Sequence, residues 1–196
     1  MSGDEPQLHG GVAEYGKVCA LRGDHVGALL HYRAAMSMAI VQQTPPVVIR
    51  HYMECALESL EQMGAYDEVL AYCDRAIEHY ADHPPDSALA QFDLATFHQR
   101  RGVVLLRRGA RDEAAGAFDV ACAMAHQAEA ELPLAETLLR WIRSRLTITA
   151  ERLSAEQVRW RYCAVRQETV RPARAVPLPG HGGTMSSPVG NQRRET

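Results

Sequence analysis

The stretch GARDEAAGAFDVA at residues 109–121 decides the fold, because two related stretches precede it. These are GDHVGALLHYRAA at residues 23–35 and GAYDEVLAYCDRA at residues 64–76. Each copy begins with glycine and has a small or β-branched residue five positions later, a larger side chain nine later and alanine twelve later. The glycine permits a tight turn between two antiparallel helices. The small residue lies where those helices approach closely, and the alanine lets the next hairpin dock, so the repeat predicts stacked helical hairpins.

The rest of the chain has the same helical character. Apolar residues recur at helical spacing from about residue 8 to 170, and no segment alternates as a strand does. Helix breaks are predicted at the sequences TPP (residues 44–46), HPPDS (residues 83–87) and LP (residues 132–133), and SAEQ at residues 154–157 has capping-box spacing. With the glycine bends, these breaks predict an all-α fold of about eight helices in four antiparallel hairpins.

The repeat resembles the tetratricopeptide family, whose signature includes Ala-x-x-x-Phe after such a glycine. Ala114 and Phe118 match this element, and Ala28 and Tyr32 match it in kind. Gly16 and Gly102 occupy the family's small position in the first helix of a hairpin, and the resemblance covers about residues 9–128. It implies a right-handed α-solenoid whose first helices line a concave, partner-binding groove.

The spacing of the repeats departs from the usual pattern. The glycines Gly23, Gly64 and Gly109 are 41 and 45 residues apart, whereas the usual period is about 34. This is similar to the long-repeat variants in kinesin light chains and bacterial peptide-sensing regulators.

Four parts of the chain follow from these patterns. Residues 1–7 are a short N-terminal tail, and residues 8–131 are three hairpins. Residues 132–170 form a degenerate fourth hairpin or a cap, as is typical of terminal repeats. Residues 171–196 are rich in proline and glycine and poor in large apolar groups, so we expect a disordered tail.

Charge is distributed unevenly along the chain, although the formal net charge is only −3. Residues 1–94 carry 5 basic and 14 acidic side chains, residues 95–170 carry 12 and 9, and residues 171–196 carry 4 and 1. An acidic first half and a basic remainder are compatible with head-to-tail association into a homo-oligomer. The basic excess is too mild for a general nucleic-acid binder.

Composition also indicates the cellular compartment of the protein. The first residues lack a signal-peptide pattern, and no apolar run is long enough to span a bilayer, so we expect a cytoplasmic protein without a membrane partner. The 5 cysteines are odd in number and widely spaced, which favours reduced thiols over a disulfide framework or a zinc site. The strong preference for arginine over lysine favours a bacterial source.

Candidate partner-binding residues come from the first helices of the hairpins, which line the groove that the resemblance implies. Glu54, Glu58 and Glu61 share one helix face and form either an acidic groove wall for a basic partner or a solvated helix face. Arginines cluster two helices later, where they could contact carboxylates or aromatic faces of a partner. The predicted set is Lys17, Glu54, Glu58, Glu61, Arg100 and Arg107.

Some family members bind the C-terminal carboxylate of a chaperone through a fixed set of lysine, arginine and asparagine side chains, the carboxylate clamp. This clamp is not predicted here. Its positions correspond to Ala13, Lys17, Cys55, Thr96 and Arg100, of which only two are basic and none is asparagine.

Other side chains receive structural interpretations. His79 and His83 lie four apart but have no evident third ligand, so no metal site is predicted. Trp141 and Trp160 are interpreted as core anchors of the last hairpin. The chain contains no nucleophile elbow, phosphate-binding loop, dinucleotide-binding glycine pattern or zincin helix, so neither catalysis nor a cofactor is expected.

The sequence therefore predicts a non-enzymatic scaffold, adaptor or chaperone that holds a protein or peptide partner, similar in plan to bacterial secretion chaperones. Two alternatives stay open. One is a regulator that senses a peptide or nucleotide, which would normally need an output domain. The other is a structural subunit of a larger assembly.

Overall fold

The computed structural model describes residues 8–180, which form eight α-helices and two short 3₁₀ turns and contain no strand. The all-α prediction with about eight helices is confirmed for this part of the chain. The helices are α1 (Leu8–Leu21), α2 (His25–Val41), α3 (Pro46–Gln62), α4 (Tyr66–Asp82), α5 (Ala88–Arg107), α6 (Arg111–Gln127), α7 (Pro133–Arg143) and α8 (Ala150–Arg159).

Helices that follow one another along the chain pack side by side from α1 to α7, and α1 also reaches α3. This succession is what a row of stacked hairpins requires. The right-handed superhelix stays a prediction.

The repeat positions lie where their chemistry requires. The turn glycines Gly23, Gly64 and Gly109 have φ of 80°, 73° and 80°, a region that L-residues rarely adopt. The small residue at plus five and the larger one at plus nine are completely buried in all three copies, at Ala28, Val69 and Ala114 and at Tyr32, Cys73 and Phe118.

Two further glycines explain how a large ring fits between close helices. A Cβ on Gly16 would lie 2.7 Å from the Tyr32 ring, and one on Gly102 would lie 2.6 Å from the Phe118 ring. Each aromatic ring of the second helix therefore packs directly on bare backbone of the first helix. The predicted small position of the repeat is this contact.

The last helix differs from the sequence-based prediction. The predicted capping box at residues 154–157 lies inside α8, which begins four residues earlier at Ala150. Its cap is Thr149, whose hydroxyl accepts a hydrogen bond from the Arg152 N–H at 3.2 Å. Leu153 of α8 is buried in the large apolar cluster formed with α5, α6 and α7.

The two tryptophans do not share one role. Trp141 is half-buried and carries the Arg152 guanidinium 4.4 Å above its ring. Trp160 is 37% exposed and donates its indole N–H to Glu156, so the interpretation of Trp160 as a core anchor is wrong. Its position directly after α8 leaves it at the surface.

After α8 the chain turns back across the molecule. We call residues 161–180 the C-terminal segment. Within it, residues 171–180 differ from the predicted disordered tail, because they lie against α1. The Val176 N–H donates to the Gly11 carbonyl at 2.9 Å, and Leu178 packs on an apolar cluster containing Val12 and Ala13. The remainder of the predicted tail, residues 181–196, lies outside the described residues, as does the predicted N-terminal tail, residues 1–7.

Candidate functional site

The candidate site is the face on which α1, α3 and α5 meet the C-terminal segment. We call it the inner face and define it by Gly11, Glu14, Glu54, Glu58, Glu61, Arg100 and Arg107. It carries most of the predicted partner-binding residues, and the structure shows how their charges are compensated.

Arg100 of α5 is the centre of the inner face and is only 3% exposed. Its guanidinium donates to the carboxylates of both Glu54 and Glu61. A buried guanidinium is tolerated only when it is paired and hydrogen-bonded, and here two carboxylates of α3 provide both. The acidic stripe of α3 is therefore balanced within the fold instead of forming a solvated helix face.

A second arginine extends the network from α3 to α4. Arg50 donates to Glu54 and, at 2.8 Å, to Asp93, and its guanidinium stacks 4.2 Å from the Phe97 ring centroid. Tyr80 donates to the other oxygen of Asp93 at 3.0 Å. The network thus ties three helices together through charge-assisted bonds, which are stronger than neutral ones.

Glu58 has a different partner from its two neighbours. It is 6% exposed, and its carboxylate accepts hydrogen bonds from the backbone N–H groups of Ala164 and Val165, the latter at 3.1 Å. An acidic side chain of α3 therefore holds the main chain of the C-terminal segment.

Tyr162 enters the same region from the C-terminal segment. Its hydroxyl donates to Glu61 at 2.8 Å, and the Arg100 guanidinium lies 5.0 Å from the centroid of its ring. The Tyr162 phenol thereby donates to the carboxylate that Arg100 also binds, and the face of its ring lies against the buried Arg100 guanidinium.

Farther along, the segment reaches α1 and α2. The Arg171 N–H donates to Glu14, and the Leu178 N–H donates to Nε2 of His31 at 3.2 Å. His31 Nδ1 then carries the proton and donates to the Gly27 carbonyl at 2.7 Å. The segment crosses the inner face from α5 through α3 to α1, bound largely through its main-chain N–H groups.

Burial and charge shift the acidic side chains in different directions. Burial raises the pKa of Glu58 to about 7, although Arg100 and the two backbone N–H groups oppose the shift. Burial also raises the pKa of Glu61 against the opposing effect of Arg100. Burial acts in the same sense on Glu54, but Arg100 and Arg50 outweigh it and hold its pKa below the ordinary value.

Each of the six predicted site residues contacts another part of the same chain. Glu54, Glu61 and Arg100 form one ion cluster, and Glu58 binds the C-terminal segment, as described above. Lys17 pairs with Glu14 at 3.3 Å, and Arg107 donates to Gln157 of α8 at 2.6 Å. Partner binding through these residues stays a prediction.

Sequence reasoning missed four members of the network: Arg50, Tyr80, Asp93 and Tyr162. Arg50 could have been found, because it lies four residues before Glu54 on a predicted helix, the spacing of an intrahelical ion pair. Tyr162 is 101 residues from its partner Glu61 and has no local sequence signal.

Three further arginines form ion pairs outside the inner face. Arg101 of α5 pairs with Asp74 of α4, and Arg108, which directly follows α5, pairs with Asp67 of α4. Arg143 of α7 pairs with Asp119 of α6. These pairs are partly or largely exposed and contribute little to stability.

The remaining side chains of reactive chemistry include two stacked histidines and several buried cysteines. His79 and His83 stack with ring centroids 4.6 Å apart, and residues 8–180 contain no group of three side chains placed to hold a metal ion. Burial raises the pKa of Cys55, Cys73 and Cys163 to about 12, so these thiols stay protonated at neutral pH. A nucleophilic cysteine requires the opposite shift.

Beside the segment, part of the inner face stays open. A cavity of about 340 Å³ lies between α3 and α5, and Arg50, Phe92 and Tyr162 are among the side chains that line it. Val47 and Leu89 also line it and are 69% and 75% exposed. The open part therefore combines a polar floor with apolar side chains that face solvent.

Comparisons with known proteins add no relative. No model of a protein family, no curated protein and no solved structure matches this chain. Within the described residues, none of the helices has the length and apolar character needed to cross a bilayer.

Proposed function

We propose that this chain is a non-catalytic protein-binding scaffold of the tetratricopeptide type, with long repeats, that holds an extended stretch of a partner polypeptide on its inner face. An adaptor or chaperone of the bacterial cytoplasm, similar in plan to secretion chaperones, is the corresponding cellular role.

One observation carries the proposal: the inner face already binds a polypeptide stretch that lacks helices and strands, namely the chain's own C-terminal segment. Carboxylates of Glu14 and Glu58 accept main-chain N–H groups, as does the Gly11 carbonyl. Main-chain recognition supplies affinity with little demand on sequence, as in other extended-peptide complexes. The same acceptors suit an extended segment of another protein.

The open cavity adds a second support. Val47 and Leu89 are large apolar side chains that face solvent beside the charged network. Contacts of this kind favour a protein or peptide partner, because interfaces commonly combine an apolar core with a polar rim.

Site-specific photo-crosslinking tests the proposal. A benzoylphenylalanine introduced at Val47 or at Leu89 is expected to crosslink one defined segment of a partner in cells that naturally produce the chain. The same group at the exposed Glu113 of α6 is the control, because α6 contributes no residue to the inner face. Crosslinks of equal yield and identity from all three positions, or from Glu113 alone, would place the binding site elsewhere.

A further inference from the structure

Residues 162–165 meet the inner face in two ways at once. Their main chain is held by Glu58, which accepts from Ala164 and Val165, and the side chain of Tyr162 contacts both Arg100 and Glu61. The main-chain bonds fix the register of this stretch, and the phenol occupies the one position in it with both a hydrogen-bond acceptor and a cation–π partner.

The contacts of Tyr162 favour tyrosine over phenylalanine at this position. A phenylalanine at this position would keep the ring near Arg100 but would lose the bond to Glu61, which is 6% exposed. Arg100 would still donate to Glu61, but this buried carboxylate would lose one of its hydrogen bonds, so a ligand that lacks the hydroxyl is bound less tightly.

The rest of the C-terminal segment lies mostly at the surface of the helices, and Val170 is its one buried side chain. Apart from two 3₁₀ turns it forms no regular structure, and the side chains of Gln167, Glu168 and Thr169 are exposed. Its apolar attachments to the helices are few and separate, among them Val165 on the cluster around Tyr32 and Val176 on Gly11.

From these contacts we propose that the inner face recognises a partner segment containing a tyrosine, and that residues 161–180 occupy this site as an internal competitor. The inference rests on the proposed function and specifies the partner's chemistry. The partner segment has two consecutive main-chain N–H groups that bind Glu58, and a tyrosine lies two residues before the first of them. A ligand of this kind displaces the C-terminal segment when it binds.

Tethering explains why the internal segment holds the site. A tethered ligand acts at an effective concentration on the order of millimolar, so a free peptide with the same contacts competes poorly. Weakening the internal segment by substitutions within it, while keeping the inner face intact, makes the site available to that peptide.

The test uses the full chain and a fluorescein-labelled peptide with the sequence of residues 161–178, in which serine replaces the cysteine. The opened variant carries Tyr162→Ala and Val176→Asp. The matched control carries Gln167→Ala and Ala173→Asp, which make the same types of change at exposed positions of the same segment. Fluorescence anisotropy measures peptide binding, and circular dichroism confirms the helical fold of each variant.

We expect the opened variant to bind the peptide at least ten-fold more tightly than the wild-type chain or the matched control. Replacing the peptide's tyrosine by phenylalanine or alanine is expected to reduce binding at least ten-fold, and so is adding Glu58→Gln to the opened variant. Equal binding by the opened and wild-type chains, or equal binding of all three peptides, would overturn the inference.

A second measurement avoids dependence on the opened variant. Hydrogen exchange at the amides of Ala164 and Val165 in the wild-type chain is expected to accelerate when the tyrosine peptide is added in large excess, and to stay unchanged with the alanine peptide. Unchanged exchange with both peptides would also overturn the inference.

The peptide-binding test of this inference and the crosslinking test of the proposed function can fail independently of each other. Photo-crosslinks to a partner from Val47 or Leu89, with no tyrosine-dependent peptide binding, would overturn this inference and leave the scaffold function standing. Tyrosine-dependent peptide binding, with partner crosslinks from Glu113 alone, would support this inference for the chain's own segment and overturn the proposed function.

Discussion

Glu58 differs from an ordinary surface glutamate because its carboxylate is buried and bound to two main-chain N–H groups. Burial raises its pKa from 4.5 to about 7, so the folded chain binds this proton more tightly than the unfolded chain does. Stability falls with increasing pH wherever the folded state holds more protons. The contribution of Glu58 therefore opposes folding progressively as the pH rises from about 4.5 to about 7.

Glu58→Gln removes this titration, which makes the effect measurable. We expect the unfolding free energy of the wild type, relative to that of the variant, to fall by as much as about 3 kcal/mol as the pH increases across that window. Urea unfolding at pH 5, 6, 7 and 8 provides the comparison, with Glu113→Gln at an exposed position as the control. A difference that does not change with pH would show that Glu58 titrates normally.

At the scale of the element, the first and third hairpins are each held together by an aromatic ring that packs on a glycine. The Phe118 ring of α6 contacts Gly102 of α5, and the Tyr32 ring of α2 contacts Gly16 of α1. The second hairpin has Cys73 at the corresponding position. Hairpin closure in the first and third repeats therefore depends on the absence of a single Cβ.

Gly102→Ala is expected to lower the unfolding free energy by about 1–3 kcal/mol, since the new methyl group would overlap the buried Phe118 ring. Gly116→Ala is the matched control in the partner helix α6, because its Cβ would meet nothing within 4 Å. That exchange is expected to leave stability unchanged or raise it by up to about 1 kcal/mol through helix propensity. Thermal denaturation of both variants measures the difference, and equal melting temperatures would contradict the close contact between Gly102 and the Phe118 ring.

At the scale of the whole molecule, the C-terminal segment links the two ends of the helical array. It leaves α8, passes α5 and α3, and ends on α1, where Arg171 binds Glu14 and Val176 binds Gly11. Contacts between residues so distant in sequence stabilise the array as one cooperative unit, whereas a plain solenoid is held only by contacts between neighbouring repeats.

Removing the part of the segment that lies on α1 tests this coupling. A chain that ends at residue 170 is expected to unfold with a free energy about 2–3 kcal/mol lower than a chain that ends at residue 180. The loss combines the hydrogen bonds of Val176 and Leu178 with their partial burial. Urea denaturation of the two chains gives the comparison. Coincident unfolding curves would support the disorder that composition predicts for residues 171–180.

Much of the fold was predictable from the sequence, because its determinants are local. Helical periodicity, the three turn glycines and the small and aromatic positions of the repeat lie within windows of about a dozen residues. Ala114 and Phe118, for example, identify a hairpin through a spacing of four positions. Patterns of this length report on helices and turns directly, since both are formed by neighbours in the chain.

The candidate site was predictable only in part. The sequence shows that Glu54, Glu58 and Glu61 share a helix face, but the same pattern is typical of a solvated surface. Arg100 stands 39 residues from Glu61, and Val165 stands 107 residues from Glu58. No local pattern relates these partners to one another.

The sequence by itself thus determined the helical hairpins and which residues close them. Only the tertiary structure decided that Arg100 pairs with Glu54 and Glu61 and that the C-terminal segment binds Glu58. The physical reason is that helix formation depends on contacts within a few residues. The pairing of buried charges depends on which helices pack against each other. The composition of residues 171–180 does not indicate the acceptors on α1 that hold this stretch in place.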